Sequence, residues 1–103
     1  MVNKYEIQLT PIAKADIKTI KEYMGIVLNE PDIAAKLVKT LKDAVSSLSQ
    51  MPERHPFVKD EFFTISDVRK LIVKSYAIFY QIEKNVVIVL RILHAKRNWQ
   101  HLL

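Results

Sequence analysis

The last third of the chain, residues 68–103, reads VRKLIVKSYAIFYQIEKNVVIVLRILHAKRNWQHLL. It is rich in β-branched and aromatic residues, which favour strands. Glu83-Lys84-Asn85 separates two such runs and is short enough for a tight hairpin. The run Val86–Leu93 is apolar except at Arg91, which is typical of a central strand that is covered, or nearly covered, on both faces. We therefore predict consecutive short strands and then a basic tail.

The residues upstream look suited to covering this sheet. Lys4–Leu9 alternates polar and apolar residues and predicts a first strand. Thr10 as N-cap and Pro11 at the first helical position then predict a helix. Its apolar stripe comprises Ala13, Ile17, Ile20, Met24 and Val27. Gly25, the single glycine, should weaken the last turns of this helix.

A second helix is predicted from about Asp32 to Gln50, after a break at residues 29–32. Its apolar seam comprises Ala34, Leu37, Leu41, Ala44, Leu48 and Met51. Because the break is short, an antiparallel helical hairpin is the simplest arrangement. The helical pattern is lost over residues 52–66, where apolar side chains should tie the connection to the core: Phe57, Val58, Phe62, Phe63 and Ile65.

The predicted order of strand, two helices, three strands and a tail defines an α+β fold. A helical hairpin would pack on one face of a mostly antiparallel, four-stranded sheet, and residues 1–103 would form one domain. The apolar runs are shorter than the ~20 residues of a membrane span. No signal-peptide pattern is present, which favours the cytoplasm. Without cysteine there is no disulfide framework or thiolate site, and the three histidines form no metal-binding motif.

The positive charge is unevenly distributed along the chain. Residues 1–66 hold nine Lys/Arg and nine Asp/Glu, whereas residues 67–103 hold seven Lys/Arg against two acids, so the excess of five lies there. A basic sheet face and tail would suit an anionic partner, such as RNA, DNA or an acidic protein segment. An ordinary solvated surface is the alternative.

Several stretches together resemble the RelE/ParE superfamily of toxins from type II toxin–antitoxin systems. They are Arg69 with the run up to Tyr76-Ala77-Ile78-Phe79-Tyr80, Val87–His94, Lys96-Arg97, Leu102-Leu103 and the earlier Met51-Pro52-Glu53-Arg54. The resemblance covers nearly the whole chain and implies the fold described above. It also implies growth arrest and neutralisation by a cognate antitoxin, expected to be small, acidic and partly disordered.

Two activities occur in the superfamily that this chain resembles. RelE-like members cleave mRNA on the ribosome with basic residues and a C-terminal tyrosine, whereas ParE-like members bind and inhibit DNA gyrase. Here Ala77 stands where RelE-like members carry an arginine, and no tyrosine follows Tyr80. The resemblance therefore favours the ParE-like branch, with the ribosome-dependent mRNA interferase as the alternative. A third possibility is an inactive module that only binds an antitoxin or DNA.

Candidate site residues follow from these alternatives. An RelE-like enzyme would use Arg69, His94 and Arg97 in catalysis. Residues expected to contact a target or nucleic acid are Arg69, Lys70, Lys74, Arg91, Lys96, Arg97 and Trp99. Several of them have a structural alternative. Arg69 and Arg91 could be paired within the fold, and His94 could be a hydrogen-bonded structural residue at the end of a strand. Trp99 could anchor the tail, and Lys96 and Arg97 could belong to a solvated tail. No cofactor or metal is expected.

Overall fold

The computed structural model describes residues 4–58 and 67–95. In these two ranges, two helices and four strands form the fold, with a π-helical turn at the end of the first helix and a short 3-10 turn after the second. The elements are β1 (Glu6–Leu9), α1 (Pro11–Glu22), the π-turn (Tyr23–Val27), α2 (Pro31–Ser47), the 3-10 turn (Pro52–Arg54), β2 (Arg69–Val73), β3 (Tyr76–Glu83) and β4 (Val86–His94).

The strands form one sheet in the order β1-β4-β3-β2. β1 runs parallel to β4, whereas the β2–β3 and β3–β4 pairs are antiparallel. The α+β fold with a mostly antiparallel sheet is confirmed, and so is the central position of β4. The predicted hairpin at Glu83-Lys84-Asn85 is also present, since β3 ends at Glu83 and β4 begins at Val86.

The two helices pack on one face of the sheet and form the main core with it. Its buried residues are Ala13, Ile20, Leu41, Val45, Leu48, Ile78, Tyr80, Val87, Val89 and Ile92. A smaller cluster lies on the opposite face and comprises Val68, Ala77, Phe79 and Leu93, with Val58 packed against it. The sheet thus separates a large core from a small one, because side chains of successive strand residues point to opposite faces.

The start of α1 is joined to a bulge in β4. The Thr10 hydroxyl accepts a hydrogen bond from the backbone N–H of Ala13 (3.0 Å), which confirms the predicted N-cap, and donates one to the carbonyl of Leu90 (2.9 Å). The β3–β4 register shifts between Phe79 and Tyr80, next to Leu90. The N-cap residue of α1 therefore also bonds to the backbone of β4 at this irregularity.

The helix stripes were predicted correctly in part: the α2 seam left out Val38 and Val45, which are buried, and both stripes fail at their ends. Val27 and Met51 were expected in the core, yet 66% and 67% of their surfaces are exposed. At Val27 the helix has widened into the π-turn, which changes the direction of the side chains. α2 ends at Ser47, earlier than the predicted Gln50, and Met51 has a left-handed φ of 49°, so the seam stops at Leu48. β1 starts at Glu6, two residues later than predicted.

The connection between α2 and β2 was predicted correctly only in part. Val58 packs against the smaller core, as expected. Phe57 does not, since 47% of its surface is exposed. Its ring instead stacks on a strand arginine, Arg69. The remaining residues of the predicted cluster, Phe62, Phe63 and Ile65, lie outside the described residues.

Candidate functional site

Arg91 joins α1 to β4 in a largely buried ion pair. Its Nε and Nη2 atoms donate to the two carboxylate oxygens of Asp16 at 2.8 and 2.9 Å. The side chains of Arg91 and Asp16 are 16% and 12% exposed. Asp16 also accepts the backbone N–H of Ile92 at 3.0 Å. Hydrogen bonding to the carboxylate raises the pKa of Arg91. Arg91 was predicted to contact a target, but its guanidinium holds the fold together, as the structural alternative proposed.

Arg69 lies at the start of β2 and is also used within the fold. Its Nη1 donates to the carbonyls of Glu53 (2.9 Å) and His55 (2.7 Å). Its Cζ lies 3.9 Å from the centre of the Phe57 ring, a cation–π contact. The structural alternative for Arg69 was an ion pair, but its partners in the structure are backbone carbonyls. Arg69 therefore fixes the 3-10 turn against β2.

The predicted basic sheet face is divided between the two faces of the sheet. In the β2–β3 pair, Arg69 lies opposite Tyr80 and Lys70 lies opposite Phe79. Tyr80 belongs to the main core and Phe79 to the smaller one, so Arg69 and Lys70 point to opposite faces. Arg69 and Lys70 therefore do not share one basic face of the sheet.

Lys74 and His94 both line a groove of about 640 Å³ at the other end of these strands. We call this the target groove. It lies between the π-turn, α2 and the β2–β3 turn, and its lining comprises Tyr23, Met24, Leu28, Ile33, Lys36, Leu37, Thr40, Lys74, Ser75, Tyr76 and His94. Half or nearly half of the surfaces of Tyr23, Leu28 and Ile33 is exposed, at 52%, 47% and 49%. An apolar surface of this kind, rimmed by Lys36 and Lys74, is typical of a protein-binding site.

The polar groups in the target groove are basic or neutral. The rings of His94 and Tyr76 contact each other edge to face, with 5.4 Å between the ring centres and an interplanar angle of 71°. Burial, together with the nearby Tyr23, raises the pKa of Tyr76, so its hydroxyl stays protonated near neutral pH. Among the described lining residues there is no carboxylate. The groove can donate hydrogen bonds and bind an anion at its rim, but Tyr76 is not suited to act as a base.

Two of the predicted catalytic residues, Arg69 and His94, do not lie close together. His94 lies opposite Tyr76, and Arg69 lies opposite Tyr80, four residues further along β3. At the rise of a strand this places their backbones roughly 13 Å apart along the sheet. The other candidates, Lys96, Arg97 and Trp99, lie outside the described residues. The structure thus brings Lys74 and His94 together and leaves Arg69 elsewhere.

Beside Arg69, the 3-10 turn carries a second group of titratable side chains. The buried Tyr80 hydroxyl donates to the carbonyl of Pro52 at 2.6 Å, and burial raises its pKa to about 12. Burial, with Arg54 and Arg69 nearby, lowers the pKa of His55. The Tyr5 hydroxyl donates to Glu53, which lowers the pKa of that carboxyl. Together with the Arg69 bonds, these hydrogen bonds link the turn to β2, to β3 and to the residue just before β1, so the group is structural.

Residues 4–58 and 67–95 lack the features of two other classes of function. No group of three or more histidine or acidic side chains is arranged there to hold a metal ion. No helix in that part of the chain has both the length and the apolar character needed to cross a membrane.

Sequence reasoning missed the apolar wall of the target groove. Tyr23, Leu28 and Ile33 were not assigned to any site, and Val27 was assigned to the core. A signal was present, because Tyr23-Met24-Gly25-Ile26-Val27-Leu28 contains more apolar residues than one helical stripe can bury. An excess of this kind beside a helix end indicates an exposed patch.

Comparison with known proteins identifies the family. Residues 7–99 match the family described as ParE toxin of type II toxin-antitoxin system, parDE. No curated protein sequence matches the chain. The fold is similar to that of a chain from the chromosomal ParDE TA system of P. aeruginosa, with a TM-score of 0.77 at 22% identity over 91% of this chain and 99% of that one.

Two further solved structures share the fold. A chain of the toxin–antitoxin complex RelBE2 from Mycobacterium tuberculosis has a TM-score of 0.62 at 21% identity, over 88% of this chain and 98% of that one. A conserved hypothetical protein from Helicobacter pylori has a TM-score of 0.53 at 15% identity, over 87% and 93%. Because the family match spans most of the sequence, the chain belongs to the ParE toxins of type II toxin–antitoxin systems, within the RelE/ParE superfamily.

Proposed function

We propose that this toxin arrests growth by binding DNA gyrase and blocking its cycle, without cleaving RNA. The observation that carries the proposal is the target groove, where Lys74 and His94 meet an exposed apolar wall of Tyr23, Leu28 and Ile33. Such a surface suits the burial of apolar side chains of a protein partner. Arg69, which RNA cleavage would require near His94, is bonded to carbonyls at the other end of β2.

The ParE family match supports this proposal. The partner that holds the toxin inactive would be a cognate antitoxin, and the solved relatives from P. aeruginosa and M. tuberculosis come from toxin–antitoxin systems. Gyrase acts on chromosomal DNA, so the proposed site of action is the cytoplasm. An acidic, partly disordered antitoxin would suit the positive charge of this chain.

The test is inhibition of gyrase supercoiling by the purified protein. We expect inhibition by the wild type and at least ~10-fold weaker inhibition by the double variant Tyr23→Ser/Ile33→Ser, since two exposed apolar contacts are lost. The matched control is Ile12→Ser, because Ile12 is 56% exposed and lies on α1 outside the lining of the groove. Its inhibition should equal that of the wild type. Wild-type protein that stops growth yet leaves supercoiling intact would overturn the proposal.

The second candidate is a ribosome-dependent mRNA interferase. It is favoured by the contact of His94 with Tyr76 beside Lys74, since a histidine can take part in proton transfer. Brief induction followed by mapping of transcript 5′ ends separates the two activities. New ends within translated regions, absent with His94→Ala, would establish the interferase. Intact transcripts together with a DNA-damage response would support gyrase.

A further inference from the structure

A second groove lies between β1 and the two helices, and it shares no lining residue with the target groove. Its volume is about 610 Å³. We call it the lysine groove, because four exposed lysines line it: Lys14, Lys18, Lys21 and Lys42. The other lining residues are Ile7, Leu9, Ile17, Val45 and Ser46. Lysine stems can lie along an apolar floor of this kind while their ammonium groups reach outwards, so the groove can present its charge to a ligand.

The lysines are arranged regularly on the two helices. The three lysines of α1 are spaced by four and three residues, which places them on one side of that helix. At a rise of 1.5 Å per residue they cover about 10 Å of its length. Lys21 and Lys42 also line a neighbouring hollow, which adds Lys39 with its exposed partner Asp43 at 3.5 Å. The two helices thus form one continuous basic surface.

The charge of these lysines is not offset within the lysine groove. None of the described lining residues is acidic. Asp16 of α1 binds Arg91 instead. Lys18 has a loose partner in Glu22 at 3.9 Å, an exposed pair that contributes little. The N-terminal 66 residues carry no net charge in sequence, yet folding creates a positive surface there.

The lysine groove and the target groove use opposite sides of α2. Each groove is lined by its own set of residues from that helix: Ile33, Lys36, Leu37 and Thr40 for the target groove, and Lys42, Val45 and Ser46 for the lysine groove. At 3.6 residues per turn, the mean directions of the two sets differ by roughly 180°. A protein bound in the target groove would therefore leave the lysines accessible to a second ligand.

The density of negative charge distinguishes the possible ligands. Duplex DNA carries one charge per ~1.7 Å of its axis, so about six phosphate charges of its two strands lie within the length that the α1 lysines cover. An extended acidic peptide, at ~3.3 Å per residue, offers about three over the same length. None of the described residues that line the lysine groove or the neighbouring hollow is aromatic. Single strands are bound by stacking of bases on aromatic rings, so this surface favours a duplex.

We propose that the lysine groove binds the phosphate backbone of duplex DNA. The ammonium groups act as point charges and do not read the base sequence. The inference rests on the proposed function for the identity of the DNA. A toxin that binds gyrase through the target groove would contact the duplex held by gyrase through the opposite side of α2.

The probe is a short fluorescent DNA duplex, titrated with the full chain at several salt concentrations and followed by anisotropy. Contacts from four lysines predict a slope of about −3.6 or steeper for the logarithm of the binding constant against that of the salt concentration. Lys21→Gln and Lys42→Gln should each weaken binding about fivefold and reduce the slope by about one. Lys84→Gln is the matched control, because it removes the same charge in the β3–β4 turn, outside the lysine groove. A duplex of unrelated sequence should bind equally well.

Four results would overturn the proposal. They are absence of DNA binding, equal affinities of Lys21→Gln and Lys84→Gln, competition by an oligoglutamate as strong as that by the duplex, and tighter binding of single-stranded RNA than of the duplex. The third result would assign the groove to acidic protein segments, and the fourth would assign it to RNA. Amide chemical shifts give an independent check. The largest changes should lie near Lys18 and Lys42, and changes confined to residues 67–103 would contradict the proposed location.

Measurements with and without gyrase keep this inference distinct from the proposed function. The DNA titration contains no gyrase, so a wild-type protein that binds DNA but leaves supercoiling intact would exclude the proposed target and retain the DNA surface. If gyrase is the target, the double variant Lys21→Gln/Lys42→Gln should inhibit supercoiling at least ~fivefold more weakly than the wild type. It should still bind DNA-free gyrase with wild-type affinity, since it leaves the target groove unchanged. Full inhibition by this variant would contradict contact with the DNA that gyrase holds.

Discussion

Two arginines hold this fold together in different ways. Arg91 forms a bidentate pair with a carboxylate, Asp16, and both side chains are largely buried. Arg69 is half-buried, binds two backbone carbonyls and stacks on Phe57. A buried charge depends on its counter-charge, whereas an arginine on carbonyls keeps contact with solvent. Both arginines were predicted from sequence to contact a target, yet we expect their contributions to the free energy of unfolding to differ.

The largest expected effect is at the buried pair. Asp16→Ala leaves the Arg91 guanidinium without its carboxylate and frees the backbone N–H of Ile92, so we expect a loss of about 3 kcal/mol in the free energy of unfolding. Urea denaturation measures it. Asp43→Ala is the control, because the Lys39–Asp43 pair is 80% and 70% exposed and should contribute less than about 0.5 kcal/mol. Equal losses in the two variants would show that burial does not distinguish these pairs.

A smaller effect is expected at Arg69. Arg69→Lys keeps the charge but loses the planar group that reaches two carbonyls and stacks on Phe57, so we expect a loss of about 1 kcal/mol. The neighbouring change Lys70→Arg, on the opposite face, should alter stability by less than about 0.5 kcal/mol. If Arg69→Lys lowered the free energy of unfolding as much as Asp16→Ala does, the two arginines would not differ in their contribution to stability.

The smallest effect concerns pH at the Arg69 end of the sheet. His55 has a lowered pKa in the folded state, caused by burial and then by Arg54 and Arg69. Stability from neutral His55 is present above the unfolded pKa of about 6.5, and it decreases as the pH falls through that value because the unfolded chain binds the proton more readily. His55→Gln should therefore lose less stability than the wild type between about pH 7.5 and 5.5. Identical pH dependence in thermal unfolding would contradict this.

Much of the fold could be predicted because its patterns are local. Thr10-Pro11 predicts a helix start from its own chemistry, and the spacing of Ala34, Leu41 and Leu48 predicts the buried side of α2. The errors lie where neighbouring segments decide the outcome. Val27 fits the stripe in sequence, but the π-turn leaves it exposed. Met51 extends the seam of α2 in sequence, but the chain turns at that residue.

The candidate site was less predictable for the same reason. Lys74 and His94 were singled out by residue type, and the structure places them in one groove. The apolar side chains of Tyr23 and Ile33 line the same groove only because the helical hairpin lies next to the β2–β3 turn. The lysine groove was not anticipated, since counting charges along residues 1–66 gives zero. Charge counts ignore which acids are bound elsewhere in the fold.

The sequence by itself determined the α+β class, the strand hairpins, the helix starts and the resemblance to the RelE/ParE toxins. These follow from periodicity, capping and turn chemistry, which act over a few residues. Only the tertiary structure decided that Arg91 and Arg69 bind other groups of the fold, and that Arg69 and Lys70 point to opposite faces of the sheet. It also decided that two separate grooves lie beside the helical hairpin. Those outcomes depend on which distant groups meet, and the energy of a charge depends on its partners and burial.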